Sequence, residues 1–439
     1  MRVRMAKLII RGGNRLEGAM RVFGAKNSVL PILAASLLVS GQSVLQNCPA
    51  LSDVRLASEI LRQLGCTVER EEDRIQIDSA HADGISIPEK LMCEMRSSII
   101  FLGAMAAKNG RAVLSAPGGC DLGPRPIDLH LAALRKMGAA IAEESGVLDC
   151  RVNGRLHGAE IQFPFVSVGA TENVLIAAAT AKGTTRILNA ACEPEIRDLA
   201  QFLIRCGAKV TGAGTSRIIV EGVPKLHGCE HRVIPDRIAA ATYLLAAAVT
   251  RGDVTLSDVE PEHLSAILPR LQEAGCELVT GDRQIRIRAQ GRPKSLSSVL
   301  TAPYPGFPTD AQAPLMALCS IADGTTAFEE TIFQNRFRHA AELNRMGAEI
   351  SVAGQSAVVK GVPFLHGARV SATDLRGGAA LVLAALFAEG ETEISQVHHI
   401  DRGYESMECA LSLLGACAVR TETWQIKEEN RIIRPAFAM

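Results

Sequence analysis

The same pair of landmarks recurs six times along the chain, at a step of roughly seventy residues. The first is a glycine that opens a short apolar strand, at Gly41, Gly110, Gly183, Gly252, Gly324 and Gly390, as in KGTTRIL, RGDVTL and EGETEI. The second is a glycine flanked by Leu, Met, Cys or Ala before it and Ala or Cys after it, at Gly65, Gly138, Gly207, Gly275, Gly347 and Gly415. Self-similarity at a fixed period means one ancestral unit copied six times. Whatever all six units share is scaffold, and whatever occurs once is a candidate for chemistry.

Every unit reads in the same order. A helix apolar on nearly all sides comes first (LPILAASLLV, SIIFLGAMAA, VLIAAATA, TYLLAAAV, LMALCSIA, LVLAALFA), then the Gly-led strand, an amphipathic helix ending at the second glycine, and short strands. A helix without a polar face has to be buried. The expected fold is therefore α/β, with three buried helices inside each half and sheets and amphipathic helices around them, the reverse of a barrel with its strands inside. A solenoid is the alternative, but its repeats are shorter than these units. The expected domains are 24–233 and 1–23 plus 234–424, three units each around a cleft, with 425–439 a tail. The strand KLIIRGG is expected in the second domain, because LEG at 16–18 matches the LHG turns that end units at 156–158, 226–228 and 365–367.

Composition narrows the function. Forty-seven basic residues balance forty-seven acidic ones and aromatics make up 4%, which argues against nucleic acid and anionic membrane surfaces. The longest apolar run, AALVLAALFA, is about half a membrane span. Twelve cysteines without a CxxC pair give no support to a zinc site. Cys66 and Cys276 stand where other units have Ala and read as small core residues, the default for all the cysteines but one. The N-terminus lacks a signal-peptide core, so a reducing cytoplasm is the expected location.

Just ahead of the buried helices the residues are polar in every unit: Lys26 and Asn27, Arg96, Thr171 to Asn173, Asp236 and Arg237, Thr309 and Asp310, Asp374 and Arg376. N-capping accounts for Thr171, Asp236, Thr309 and Asp374. It does not account for Lys26, Arg96, Arg237 and Arg376, because a cation is unfavourable at the positive end of a helix dipole. Cations gathered there point to a bound anion.

The interval between landmarks is 23 to 25 residues in five units and 28 in the second, where the extra length lies in APGGCDLGPRPIDLH at 116–130. Alternating glycines and prolines compose a lid. It carries one thiol, Cys120, and one guanidinium, Arg125. A thiol near cations has its pKa lowered toward neutrality and can exchange a proton or attack an electrophile.

Together GAKN (24–27), PGGC with GPRPIDLH (117–130), SVGATEN (167–173), EPEI (193–196), FPTDAQA (307–313), NRF (335–337), TDLRGG (373–378) and HIDRGYE (399–405) resemble the enolpyruvyl transferase family, in its branch acting on UDP-N-acetylglucosamine. The resemblance implies a two-domain inside-out α/β barrel. It also implies transfer of the enolpyruvyl group of phosphoenolpyruvate to the sugar 3-hydroxyl with release of phosphate, an early step of peptidoglycan synthesis, with no metal or cofactor. Cys120 would protonate the methylene carbon, and Asp310 would take the hydroxyl proton. Lys26, Arg125 and Arg402 would hold phosphoenolpyruvate with Asn27 beside them. Arg96, Arg125, Pro126, Ile127, Asp128, Leu129, Ser167, Val168, Gly169, Asp310 and Ile332 would contact the nucleotide sugar, and Asp374 and Arg376 would complete the cleft. Sensitivity to fosfomycin would follow from Cys120. The chain departs from the family at Phe165, where some members carry Lys, and after the lid thiol. A monomer is compatible with this reading. The alternatives are the sister enzyme acting on shikimate 3-phosphate, which lacks the lid Cys, and a non-catalytic UDP-sugar sensor.

Overall fold

The computed structural model describes residues 2–115 and 127–426. The lid segment 116–126, with Cys120, Arg125 and Pro126, and the tail from 427 lie outside the described residues, as do the side chains of 2–5, Arg96 and 423–426.

The six apolar segments form helices at Lys26–Ser36, Phe101–Asn109, Val168–Ala178, Arg237–Val249, Thr309–Cys319 and Leu375–Phe387. All residues of Arg237–Val249 are buried, as expected of a helix with no polar face. The helices pack in two groups of three, the first three against one another and the last three likewise. One buried cluster runs from Val29 to Val233, and the other joins Leu8 to Val22 with Ala239 to Ala418. We propose the domain division 24–233 and 1–23 plus 234–424 on that ground. Two adjacent straps connect the groups, where Gly24 bridges Pro235, the Ala25 N–H donates to Ile234 O at 2.7 Å and the Asp236 N–H to Phe23 O at 2.9 Å.

Each unit contributes a four-stranded sheet around its Gly-led strand. One side of that strand carries an antiparallel hairpin and the other a short parallel strand from the preceding unit. Thus Ser86–Ile87 lies beside Arg111–Ser115, and Glu160–Gln162 beside Thr184–Leu188. The third unit's strand, Glu230–Arg232, returns to Gln42–Gln46 of the first, which closes a ring. A second ring closes where Glu17–Arg21 pairs with Asp253–Ser257. A solenoid leaves its ends open, whereas these rings leave none. The chain ends make the sixth hairpin: Arg2–Arg11 lies between Glu391–Ser395 and Cys417–Ile426. That last strand runs two residues into the segment set apart above as a tail, because Gln425 and Ile426 pair with Val3 and Arg2.

The second glycine of every unit has φ between 92° and 98°, a left-handed conformation that ends the amphipathic helix without a Cβ penalty. Other expectations need correction. Asp236 and Asp374 cap their helices by accepting backbone N–H groups. Thr171 and Thr309 do not: Ser167 caps one helix, Thr171 Oγ1 donates to Ser167 O at 2.8 Å, and Thr309 Oγ1 donates to Glu330 Oε2 at 2.9 Å. In the second unit SII is 3₁₀ helix, and α-helix begins at Phe101. There the Asn173 amide sits between Ile99 O and the Gly103 N–H, at 2.9 and 2.7 Å, in place of the direct i to i−4 bond. Cys66 and Cys276 are buried as expected, but Cys93, Cys409 and Cys417 are exposed and Cys192 and Cys229 half-buried, since Cys93 and Cys409 lie on outward sides of short helices and Cys417 starts an edge strand.

Gly12 and Gly13 give a test of the joint between the N-terminal strand and the last buried helix. A Cβ on Gly12 would stand 2.2 Å from Ala388 O, backbone that cannot yield, whereas one on Gly13 meets nothing but requires φ +91°. Gly12→Ala should cost on the order of 3 kcal/mol and Gly13→Ala about 1 kcal/mol, read from urea unfolding midpoints. Equal costs would contradict this placement.

Candidate active site

The entrances of four buried helices meet where the two groups face each other. Lys26 opens the first helix, 8% exposed, and its Nζ lies 2.7 Å from Asp53 Oδ2. The other oxygen of Asp53 accepts from Arg402 Nε at 3.0 Å. Lys26 and Arg402 come from opposite groups, so the Asp53 carboxylate joins them across the cleft. The Lys26 N–H donates to Asp236 Oδ2 at 3.1 Å, while Asp236 Oδ1 caps the Arg237–Val249 helix. Burial presses the Lys26 ammonium down, and Arg402 and Arg376 add to that against the pull of Asp53. Burial acts upward on Asp53, but Lys26 and Arg402 outweigh it and hold the carboxyl below its ordinary value. A desolvated Lys beside a guanidinium is a site that favours an anion.

Asp310 stands one residue into its helix, with Oδ1 accepting from Arg336 and Oδ2 from Arg376, both at 2.9 Å. Burial opposes ionisation there, yet Arg376 and Arg336 hold the carboxyl well below the usual range. Arg376 is 3% exposed and also donates to Tyr404 OH at 3.2 Å, which meets Thr242 of the fourth buried helix at 2.8 Å. Asp374 caps the helix that carries Arg376. Arg237 makes a buried, two-pronged bond to Glu195 at 2.9 and 3.3 Å. Of the cations argued from the sequence, Lys26, Arg237 and Arg376 are thus each countered at the cleft by a carboxylate of the chain itself.

The two stretches expected at the nucleotide also meet. Ser167, Val168 and Gly169 form the first turn of the third buried helix, half-buried, and Ile127, Asp128 and Leu129 begin the helix that packs on it. His130 is the contact: a Cβ on Gly169 would lie 3.3 Å from its ring, and its Nδ1 accepts from Asn173 Nδ2 at 3.0 Å. Ile332 is 39% exposed, and its N–H donates to Glu330 Oε1 at 2.9 Å. Phe165 is 57% exposed beside Ser167. Asn27 is half-buried next to Lys26, and Arg96 begins the 3₁₀ turn before the second buried helix.

Sequence reasoning passed over Asp53, Arg336, Glu195, Glu330, Tyr404 and His130. Glu195 and Arg336 lie in EPEI and NRF, motifs noted without a role, and Tyr404 lies in HIDRGYE. Asp53 carried no such signal, because an acid in the first turn of SDVRLASEIL is an ordinary helix start.

The family model described as EPSP synthase (3-phosphoshikimate 1-carboxyvinyltransferase) matches residues 10–411. The chain is 52% identical over 416 residues to UDP-N-acetylglucosamine 1-carboxyvinyltransferase 2 of Caldanaerobacter subterraneus subsp. tengcongensis, covering 95% of this chain and 100% of that one. Among solved structures, the enolpyruvyl transferase NikO from Streptomyces tendae superposes with TM-score 0.84 at 26% identity, covering 95% of this chain and 99% of the other. EPSP synthase from Acinetobacter baumannii shares the fold, with TM-score 0.72 at 19% identity over 95% of this chain and 100% of the other.

Two outcomes test the site's electrostatics. Asp53→Asn leaves Lys26 and Arg402 uncompensated and should destabilise by about 2–3 kcal/mol, less than for a fully buried pair because Arg402 is partly exposed. Millimolar inorganic phosphate should restore part of the lost Tm in the variant, and no restoration would argue against an anion site. Burial lowers His130 from 6.5 to about 4, and protonation would also turn an N–H toward the Asn173 amide. Between those values the unfolded chain binds a proton that the folded chain refuses, so stability rises with pH across this window. The loss is complete below it, at about 3 kcal/mol. His130→Asn keeps an acceptor for Asn173 and should remove that share of the acid destabilisation in urea titrations at pH 4 and 7.

Proposed function

The chain belongs to the EPSP synthase (3-phosphoshikimate 1-carboxyvinyltransferase) family, and we propose from that premise that its cleft performs the 1-carboxyvinyl transfer to UDP-N-acetylglucosamine. The enolpyruvyl group of phosphoenolpyruvate passes to the 3-hydroxyl of the sugar nucleotide and phosphate leaves, which commits the sugar to peptidoglycan synthesis. The single observation that carries the site assignment is the Lys26–Asp53–Arg402 bridge across the cleft, with Asp310 clamped beside it.

Phosphoenolpyruvate brings a phosphate and a carboxylate, and both must shed water. Lys26 and Arg402 come from opposite groups of helices, so an anion that replaces Asp53 between them holds the two groups together. Arg125 in the lid supplies a third cation, and Asn27 a neutral donor. Addition across the double bond needs an acid at the methylene carbon and a base at the sugar hydroxyl, on different sides. Cys120 is the acid, and exclusion of water from the site favours both proton transfers.

Asp310 is the base, and its two arginines set the terms on which it acts. Held well below the ordinary carboxylate range, it is ionised throughout the neutral range but weakly basic. It accepts the hydroxyl proton as oxyanion attack at C2 proceeds and as Arg376 and Arg336 turn toward the anionic substrate. The resulting tetrahedral ketal then collapses: the C2–O bond to phosphate breaks, and C3 gives up one proton, to the departing phosphate, as the double bond re-forms. Ser167 to Gly169, Ile127 to Leu129 and Ile332 hold the nucleotide, with Arg96 and Pro126. Asp374 orients the helix entrance from which Arg376 reaches Asp310.

Phosphate release from phosphoenolpyruvate, measured in parallel with UDP-N-acetylglucosamine and shikimate 3-phosphate, tests the acceptor. Release should occur only with the sugar nucleotide. Cys120→Ser and Asp310→Asn should each lower kcat by about 10²–10⁴-fold, while binding of UDP-N-acetylglucosamine by calorimetry persists. Wild-type protein that binds the nucleotide yet releases no phosphate would replace the enzyme with a sensor.

A further inference from the structure

Two thiols far from the mechanism face each other. Cys206 Sγ lies 3.3 Å from Cys229 Sγ, with Cys206 buried and Cys229 half-buried. Cys206 caps the Pro194–Arg205 helix, and Cys229 precedes the strand Glu230–Arg232.

The repeat shows how unusual the pairing is. In all six units one backbone bond joins the turn after the hairpin to the end of the amphipathic helix: Gly84 to Leu64 O, His157 to Met137 O, His227 to Cys206 O, Lys294 to Ala274 O, His366 to Met346 O and, for the last unit, Glu17 to Leu414 O, at 2.8 to 3.1 Å. In the second, third and fifth units the residue two beyond the donor leads into the short parallel strand, and its carbonyl accepts from the neighbouring Gly-led strand: Ala159, Cys229 and Ala368. The helix-end residues of these units are Met137, Cys206 and Met346. The second and fifth units thus hold methionine and alanine where the third has two sulfurs. By the logic that separates scaffold from chemistry, the third unit carries something that its sisters do not.

We propose that Cys206 and Cys229 are a redox-modification site that closes to an intramolecular disulfide when the protein meets a hydroperoxide. The Cys229 thiolate attacks the O–O bond of hydrogen peroxide, which forms a sulfenic acid and expels hydroxide that takes up the thiol's proton as water. Cys206 then attacks that sulfur. The S–S bond forms, the S–O bond breaks, and the departing hydroxide leaves with the Cys206 proton as a second water. Two thiols and one peroxide give one disulfide and two waters, and a dithiol reverses it.

Access and charge assign the order. Cys229 is the half-buried member and meets the oxidant first. The Cys206 S–H donated to it lowers the Cys229 thiol against burial, and Arg205 next to it in space helps, while Cys206 is raised by the same contact. The backbone on both sides is already fixed: Val44 N–H donates to Cys229 O at 2.9 Å, and Arg205 Nη1 to Glu230 O at 3.2 Å. A disulfide needs about 2.05 Å, so side-chain rotation supplies the closure. The bond would staple the helix that carries Glu195 and Asp198 to the strand whose His231 Nε2 meets Asp198 Oδ1 at 3.0 Å, just before the strap into the second group.

The test uses the full chain, reduced, exposed to hydrogen peroxide, quenched with N-ethylmaleimide and mapped by peptide mass. Peptides containing Cys206 and Cys229 should appear joined, lighter by two hydrogens, and separate again with dithiothreitol. Oxidation should also raise Tm by several degrees. Cys206→Met with Cys229→Ala reproduces the pairing of units two and five, so it should fold, form no cross-link and show no Tm rise. In Cys206→Ser, a sulfenic acid should be trapped on Cys229 by dimedone. Free, alkylated Cys206 and Cys229 in a sample whose exposed Cys93, Cys409 and Cys417 have oxidised would overturn the proposal.

Discussion

Everything in this molecule depends on burying helices that have no polar side. An apolar helix can hide its flanks against two neighbours and a jacket of sheets, but its ends remain, with N–H groups that lack partners. Three such helices in a ring send their ends to common faces, and the residues at those ends are polar groups that the core presents there. The cleft is therefore a consequence of the packing. Asp236 and Asp374 satisfy the backbone donors, and Lys26, Arg237 and Arg376, placed where a dipole already favours negative charge, create a field that calls for anions.

That field is not left open in this structure. Asp53 lies between Lys26 and Arg402, Glu195 faces Arg237, and Asp310 is gripped by Arg336 and Arg376. Cations buried without partners would cost several kcal/mol each, so internal carboxylates hold the site together as part of the fold. On the site proposed above, the same carboxylates would make substrate binding an exchange of anions. A dianionic phosphate and a carboxylate offer more negative charge than one aspartate, and that difference would drive the exchange.

The repeat made most of the fold legible. A period of about seventy residues, two glycine series and six apolar helices lead directly to two closed rings, and LEG at 16–18 pointed the opening strand to the second group, where the structure pairs it into the sixth unit's sheet. Lys26 and Arg376 were legible for a different reason, as cations at the positive end of a helix dipole, and Asp310 through the FPTDAQA motif of the resemblance. Asp53 and Arg336 were not, because their meaning lies in partners far away in the chain. Thr171 and Thr309 looked like caps by residue type alone. Their hydroxyls turned instead to Ser167 and Glu330, and only the packed structure decides such choices. Asn173 shows the limit most clearly: its amide enters another helix's ladder and requires Gly103 to make room, a pairing that no local rule contains.

Copying one unit six times leaves five controls for every position, and that changes how an unusual residue is weighed. Arg376 and Asp310 stand at corresponding helix entrances, yet one is a donor and the other an acceptor, so duplication supplied the frame and divergence the complementary charges. The same comparison separates the sulfurs. Cys66 and Cys276 replace alanines at a position that is small in all units, and burial raises each thiol to about 11, so they remain protonated and pack as small apolar groups. Cys206 and Cys229 hold two sulfurs in contact, a change that packing alone does not call for, because the corresponding positions are methionine and alanine in two sister units.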